Sequence, residues 1–317
     1  MPTPTLPSPV SDPLAGLAVF ERGWLSSNNV LVHAAAGEAG AVLVDSSHVN
    51  HAAQTLALVQ AALAGRPLAL LANTHLHSDH CGGNTLLQQT LGVPVALPPG
   101  QAEAVRRWDE NRLSHHATGQ RLGRFTHQRL LQPGELLVVG GRAWEIIAAP
   151  GHDPDMVMLF DRAHGVLISA DALWENGFGV IFPEIAGEPG FDDMHAVLDR
   201  IARLPVRLVI PGHGRPFADV EAALQRAGQR LQGFVREPAR HARHAMKVLL
   251  KYRLMEEREQ PLPVLQQWAA ATPLVQGLWQ RFAPAGVAGI DDWVQRLVAE
   301  LATAGVVSVE GQQVRDA

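Results

Sequence analysis

Eight residues, Thr74 to Cys81, hold three histidines, one aspartate and the only cysteine of the chain. The stretch reads NTHLHSDHCGGN over 73–84. It follows "PLALLA", which reads as a buried strand, and runs into "GGNTLLQQTLG", which reads as a helix. On an extended segment, residues i and i+2 point the same way, so His75 and His77 share a face. The turn into the helix swings Asp79 and His80 toward the same point. Imidazole nitrogen and carboxylate oxygen suit zinc, iron or manganese. Four such groups are too many for one tetrahedral ion that keeps a position open. They are enough to begin two neighbouring sites.

Further ligands should then arrive from other strand ends. His152 in "PGHDPD", Asp171 in "LISADAL" and His213 in "IPGHGRP" each follow an apolar strand-like run and sit at a turn marked by Gly, Pro or a small residue. A rigid sheet delivers site residues from its loops in this way. The surrounding text alternates strand and helix. "LAVFERG", "NNVLVHAA", "AVLVDSS" and "PVALPP" read as strands, and 50–64 as a helix ending before Gly65. Residues 100–128 read as an inserted lid element, a helix followed by a loop. The segments from "ELLVVGG" to "RLVIPGHG" read as hairpin-like strands.

The set His-x-His-x-Asp-His at 75–80, then His152, Asp171 and His213, in this order, resembles the metallo-β-lactamase-fold hydrolase superfamily, over roughly residues 15–217. The resemblance implies an α+β fold, a four-layer αββα sandwich of two mixed sheets with the metals at one edge. It implies two divalent ions, zinc first with iron or manganese as alternatives. His75, His77 and His152 match the first metal site, Asp79, His80 and His213 the second, and Asp171 the carboxylate that bridges both. The aspartate at the bridging position points to the glyoxalase II and lactonase-like branches rather than to antibiotic hydrolysis.

The expected chemistry is attack of a metal-bridging hydroxide on an ester-like bond, thioester or lactone. A water shared by two cations has its pKa lowered from about 16 toward about 7. Asp79 doubles as ligand and proton shuttle, and Asp45 in "AVLVDSS" is expected to orient a ligand from behind. The alternatives are a ribonuclease or phosphodiesterase, a mononuclear iron persulfide dioxygenase, and a metal-free binding or regulatory relative. The dioxygenase needs only two His and one Asp, fewer than are present, and a metal-free relative should have lost some of the seven residues. No Gly-x-Ser-x-Gly, Gly-Lys-Ser/Thr or His-Glu-x-x-His motif occurs, which removes the usual serine-hydrolase, P-loop and zincin readings.

Other polar and aromatic residues read less specifically. Cys81 reads as a small buried hydrophobe, and His115-His116 as a solvated pair in the lid rather than substrate contacts. Trp174, Phe178 and Phe182 follow Asp171 and either wall an apolar pocket or simply pack. Glu175 and Asp155 lie near ligands with no role that spacing assigns.

Three segments are expected: a Pro-rich arm at 1–13, a catalytic domain at 14–217, and a mainly helical, winged-helix-like domain at 218–317 ending in the hairpin "VVSVEGQQVR". The C-terminal "ARHARHAMKVLLKYR" is basic, but "MEEREQ" follows it. It reads as a solvated face, a lid or a homodimer contact before a nucleic-acid site. The net charge of −5 argues against a general polyanion binder. One cysteine excludes an internal disulfide, and the N-terminal text shows neither a basic start nor an apolar core of a secretion signal. The expectation is a cytoplasmic protein with a small-molecule substrate and no membrane span.

Overall fold

Period-two burial sets the layers. In strand β2 (Asn29–Val32), Val30 and Val32 face one way and Leu31 the other, yet all are buried. Strand β3 (Ala41–Val44) repeats this with Val42 and Val44 against Leu43. A strand buried on both faces belongs to a sheet covered on both sides. The computed structural model describes residues 12–113 and 115–317, and shows that sheet and a second one facing it. Most of the expected Pro-rich arm lies outside the described residues.

The first sheet has the order β1-β2-β3-β4-β5-β6, with β1 Leu17–Phe20, β4 Leu68–Ala72, β5 Val95–Leu97 and β6 Arg129–Leu130. Its first three strands are antiparallel and the rest parallel. The second has the order β11-β10-β9-β8-β7, from β7 Leu136–Val139, β8 Arg142–Ala148, β9 Val157–Asp161, β10 Val166–Ala170 and β11 Leu208–Pro211. Only its β10–β11 pair is parallel.

Val30, Val32, Val42, Val44 and Leu70 meet Trp144, Ile146, Leu159, Ile168 and Ile210 between the sheets. Outside the first sheet, helix Ala52–Leu63 buries Thr55, Val59 and Leu63, one face at helical spacing. Outside the second, helix Phe191–Arg203 buries Met194, Val197, Leu198 and Ile201, and helix Val220–Arg236 adds Ala223, Ala227, Leu231 and Phe234 to the same core. The result is the four-layer αββα sandwich.

One buried ion pair fixes where the chain enters this sandwich. Arg142 Nη1 meets Asp161 Oδ2 at 3.2 Å, and its Nη2 donates to the carbonyls of Pro13 (2.8 Å) and Ala15 (2.6 Å). Arg142→Ala leaves the buried Asp161 carboxylate to His164 Nδ1 (2.7 Å) and two backbone N–H groups, and leaves the Pro13 and Ala15 carbonyls without their donor. It should cost about 1–3 kcal/mol, read as a lower urea midpoint at unchanged m-value.

The C-terminal part packs around Leu250, Leu254, Leu265, Leu278, Trp293 and Leu297, a core that Val180 and Ile185 join. Helices Pro238–Glu257, Leu262–Ala271, Pro273–Phe282 and Ile290–Thr303 surround a three-stranded sheet of order β12-β14-β13. The expected hairpin is β13 (Val307–Glu310) with β14 (Gln313–Asp316), and β12 (Glu259–Pro261) joins it through Gln260↔Val314. This is a winged-helix-like arrangement with one further helix. No helix among the described residues is long and apolar enough to cross a membrane.

Candidate metal centre

Four strands end at one edge of the sandwich, and each releases site residues there. β4 leads into His75–His80, β8 into His152, β10 into Asp171 and β11 into His213. The last step of β10 is irregular. Its register shifts between Ile168 and Ala170, and Ala170 adopts φ 47°. Left-handed backbone at a non-glycine residue costs about 1–3 kcal/mol and persists where the surroundings impose it. Here it turns the chain so that Asp171 leaves the sheet toward the histidines. Gly212 makes the approach feasible, since a Cβ there would collide with the Asp171 carboxylate.

The seven residues form two buried groups, His75–His77–His152 and Asp79–His80–Asp171–His213, and the ligand atoms of each lie within 4.8 Å of one another. In the first, His77 Nδ1 stands 3.0 Å from His75 Nε2 and 2.8 Å from His152 Nε2. Three nitrogens bound tetrahedrally to one zinc, each about 2.0–2.1 Å from it, stand roughly 3.3 Å apart. In the second, His213 Nε2 is 3.0 Å from Asp79 Oδ2. Asp171 lies between the groups. Its Oδ2 is 3.4 Å from His152 Nε2 and its Oδ1 is 3.4 Å from His80 Nε2.

The electrostatics suit cations. Burial pushes His75 and His77 well below the usual imidazole range, so both are neutral and offer a lone pair. Burial works against charge on His80, but Asp171, Asp45 and Asp79 outweigh it and hold its pKa well above that range. Burial would also raise Asp79, yet His80 and His213 bring it down to about 2. Asp171 is held well below the carboxylate range against its burial by His80, His213 and His152. His80 Nε2 is buried with no hydrogen-bond partner, although it faces two carboxylates. A buried imidazole nitrogen left so is costly unless something binds it. The two neighbouring His/Asp groups therefore fit a dinuclear centre.

Support behind the ligands is dense. Asp45, itself at φ 60°, accepts from Thr74 N and Thr74 Oγ1, each at 2.8 Å, and its Oδ2 is 2.7 Å from His80 Nδ1. This directs His80 Nε2 inward. Asp45→Ala should weaken metal binding about 10–100-fold with little change in far-ultraviolet circular dichroism, measured by competition with a chelator. Gly83 is held against the Ser46 carbonyl and has no room for a Cβ, which explains the glycine pair closing the motif.

A cavity of about 410 Å³ opens from His77, Asp79, His152, Asp171 and His213. Of the aromatic candidates, Trp174 and Phe182 line it, and Trp174 Nε1 donates to Asp171 Oδ1 at 3.2 Å. Phe178 does not. It is buried in the core beneath Arg230, so the expected wall loses that member to packing. His115 is buried with Nε2 3.3 Å from the Leu76 carbonyl, and His116 borders a separate shallow depression beside Trp108. Cys81 packs in the core, its thiol pushed up by burial. Glu175 is exposed, and Asp155 lies against Gly100 away from the cavity.

The family model for the metallo-beta-lactamase superfamily matches residues 22–213, most of the chain. The chain belongs to the metallo-β-lactamase superfamily. Among curated superfamily relatives, an acyl-coenzyme A thioesterase from Gallus gallus is 28% identical over 167 residues, 48% of this chain and 58% of that protein. A hydroxyacylglutathione hydrolase from Synechococcus sp. (strain JA-3-3Ab) is 32% identical over 142 residues, 44% and 47% of the two chains. The chain thus spans about half the length of the curated relatives it matches. A superfamily protein from Thermus thermophilus shares the fold with a TM-score of 0.57 at 22% identity, covering 96% of this chain and 99% of that one. A β-lactamase domain protein from Burkholderia ambifaria does so at 0.51 and 20%, covering 99% and 96%.

Several residues at the centre carried no signal in isolation. Trp24, 59% exposed, stacks on His213 with centroids 5.5 Å apart and planes 6° from parallel. Tyr252, from the C-terminal helix, bonds Ser78 Oγ at 2.6 Å beside Asp79. Asp153 adjoins His152, and burial pushes its carboxyl up to about 7, with His77 Nε2 3.9 Å away.

Proposed function

We propose that the protein is a dinuclear metallohydrolase acting on an ester-like bond at a carbonyl carbon, thioester or lactone. His75, His77 and His152 would hold one ion, Asp79, His80 and His213 the other, and Asp171 would serve both. The observation that carries this reading is the placement of the Asp171 oxygens, one toward each group at 3.4 Å. When bound, two divalent ions acidify a shared water and polarise a carbonyl oxygen. The donor set suits zinc first, with iron and manganese close behind.

The chain's own groups supply the rest. Asp79, ionised and lining the cavity, is placed to accept a proton from the attacking water and return it to the leaving group. Water's oxygen forms the new bond to carbon, the carbon–sulfur or carbon–oxygen bond breaks, and the thiol or alcohol departs with that proton. Trp24 and Trp174, edge to face at 5.5 Å, flank His213 and shield that side from solvent. The superfamily relatives named as thioesterase and hydroxyacylglutathione hydrolase support the thioester assignment.

A panel of thioester, lactone and phosphodiester substrates tests it. Turnover of a thioester or lactone that chelation abolishes and metal restores is the expected result. Turnover of phosphodiesters alone would overturn it.

A further inference from the structure

Beyond the metal residues, the cavity continues into the C-terminal part of the chain. Its far walls are Val248, Met255, Trp268, Leu301 and Val306, with Val180 and Phe182 from the sandwich. The volume of about 410 Å³ lies within the span of small-molecule sites, roughly 300–1,000 Å³. The C-terminal helices therefore complete the site rather than stand apart from it.

The charged residues along this wall are already engaged. Lys247 Nζ meets Glu300 Oε2 at 2.7 Å. Lys251 bonds the Val306 carbonyl at 2.5 Å and pairs with Asp316. His244 Nε2 takes a hydrogen bond from Arg230 at 2.6 Å, and Glu256 bonds His48 at 3.2 Å. Away from the histidines and aspartates of the metal centre, each of these charges has a protein partner. An apolar group buries itself against these walls without disturbing any of those pairs, whereas a charged group would find no unpartnered opposite charge there to offset its desolvation.

We propose that this chamber binds the acyl chain of the substrate, an unbranched or lightly branched hydrocarbon, and that Val248 and Met255 on helix Pro238–Glu257 set the length accepted. The proposal rests on the ester-hydrolase reading. Of the two halves of a biological thioester, the thiol carrier is the polar one, so the hydrocarbon is the half that suits these walls.

The test uses the metal-loaded full chain and S-acyl esters of N-acetylcysteamine, a small uncharged thiol, from acetyl to dodecanoyl. Decanoate binding is followed in parallel by calorimetry. The specificity constant kcat/KM should rise about two- to fourfold per added methylene until the chamber is full. Val248→Trp and Met255→Trp, at partly exposed positions that tolerate bulk, should each lower the dodecanoyl-to-acetyl ratio of kcat/KM at least tenfold and weaken decanoate. Turnover that is flat across the series, with no decanoate binding, would overturn the acyl chamber and leave the hydrolase reading standing. Decanoate binding that the tryptophan variants abolish, without turnover of any ester, would uphold the chamber and overturn the hydrolase reading.

Discussion

Asp171→Ala should release metal and turnover together. The Asp171 carboxylate reaches toward His152 with one oxygen and toward His80 with the other, so its loss removes a ligand from both positions. It also unbalances His80, whose charge Asp171 does most to favour against burial. Bound metal should fall from about two per chain to one or fewer. Loss of one ion's charge stabilisation, several kcal/mol, lowers kcat by about a thousandfold or more. Asp171 sits at a strand end whose strained Ala170 is held by pairing with β11, so the fold should survive and circular dichroism should be unchanged. Full metal content in this variant would mean that Asp171 does not bridge.

Asp79→Asn separates ligation from proton transfer. The amide keeps an oxygen for binding but gives up the carboxylate that His80 and His213 hold ionised. Loss of a positioned proton-transfer group costs about 10²–10⁴-fold in rate. The expected signature is a fall in kcat of that size with at least one ion retained, and a smaller loss for substrates whose leaving group needs no proton. Turnover near that of the unchanged protein would remove Asp79 from proton transfer.

The two buried His/Asp groups were legible in the sequence because their members lie at strand ends. His75 to His80 lie in one short stretch, and His152, Asp171 and His213 each follow a strand-like apolar run, fully buried before Asp171 and alternating before His152. Asp45 was legible for the same reason, at the end of "AVLVDSS", where it now orients His80. The chamber was not legible. Its walls meet across long separations: Ser78 and Tyr252 are 174 residues apart, and His48 and Glu256 are 208 apart.

Composition left "ARHARHAMKVLLKYR" open between a solvated face, a lid and a dimer contact; its helix buries His241, Ala245, Met246, Leu249, Leu250 and Arg253, and its Val248 and Tyr252 line the cavity. Two of its cations, Arg243 and Lys247, pair with Glu300 of helix Ile290–Thr303. Pairing depends on which acidic residues fold back onto the helix, and no local pattern encodes that. Strand β12 escaped for a different reason. Glu259-Gln260-Pro261 has no alternation, and it becomes a strand only because β14 offers it an edge.

Metal stoichiometry of the purified chain, measured by elemental mass spectrometry, tests the central claim most directly. About two divalent ions per chain are expected, falling to one or fewer in Asp171→Ala. A single ion per chain that Asp171→Ala leaves in place would contradict a dinuclear centre and return the site to mononuclear chemistry.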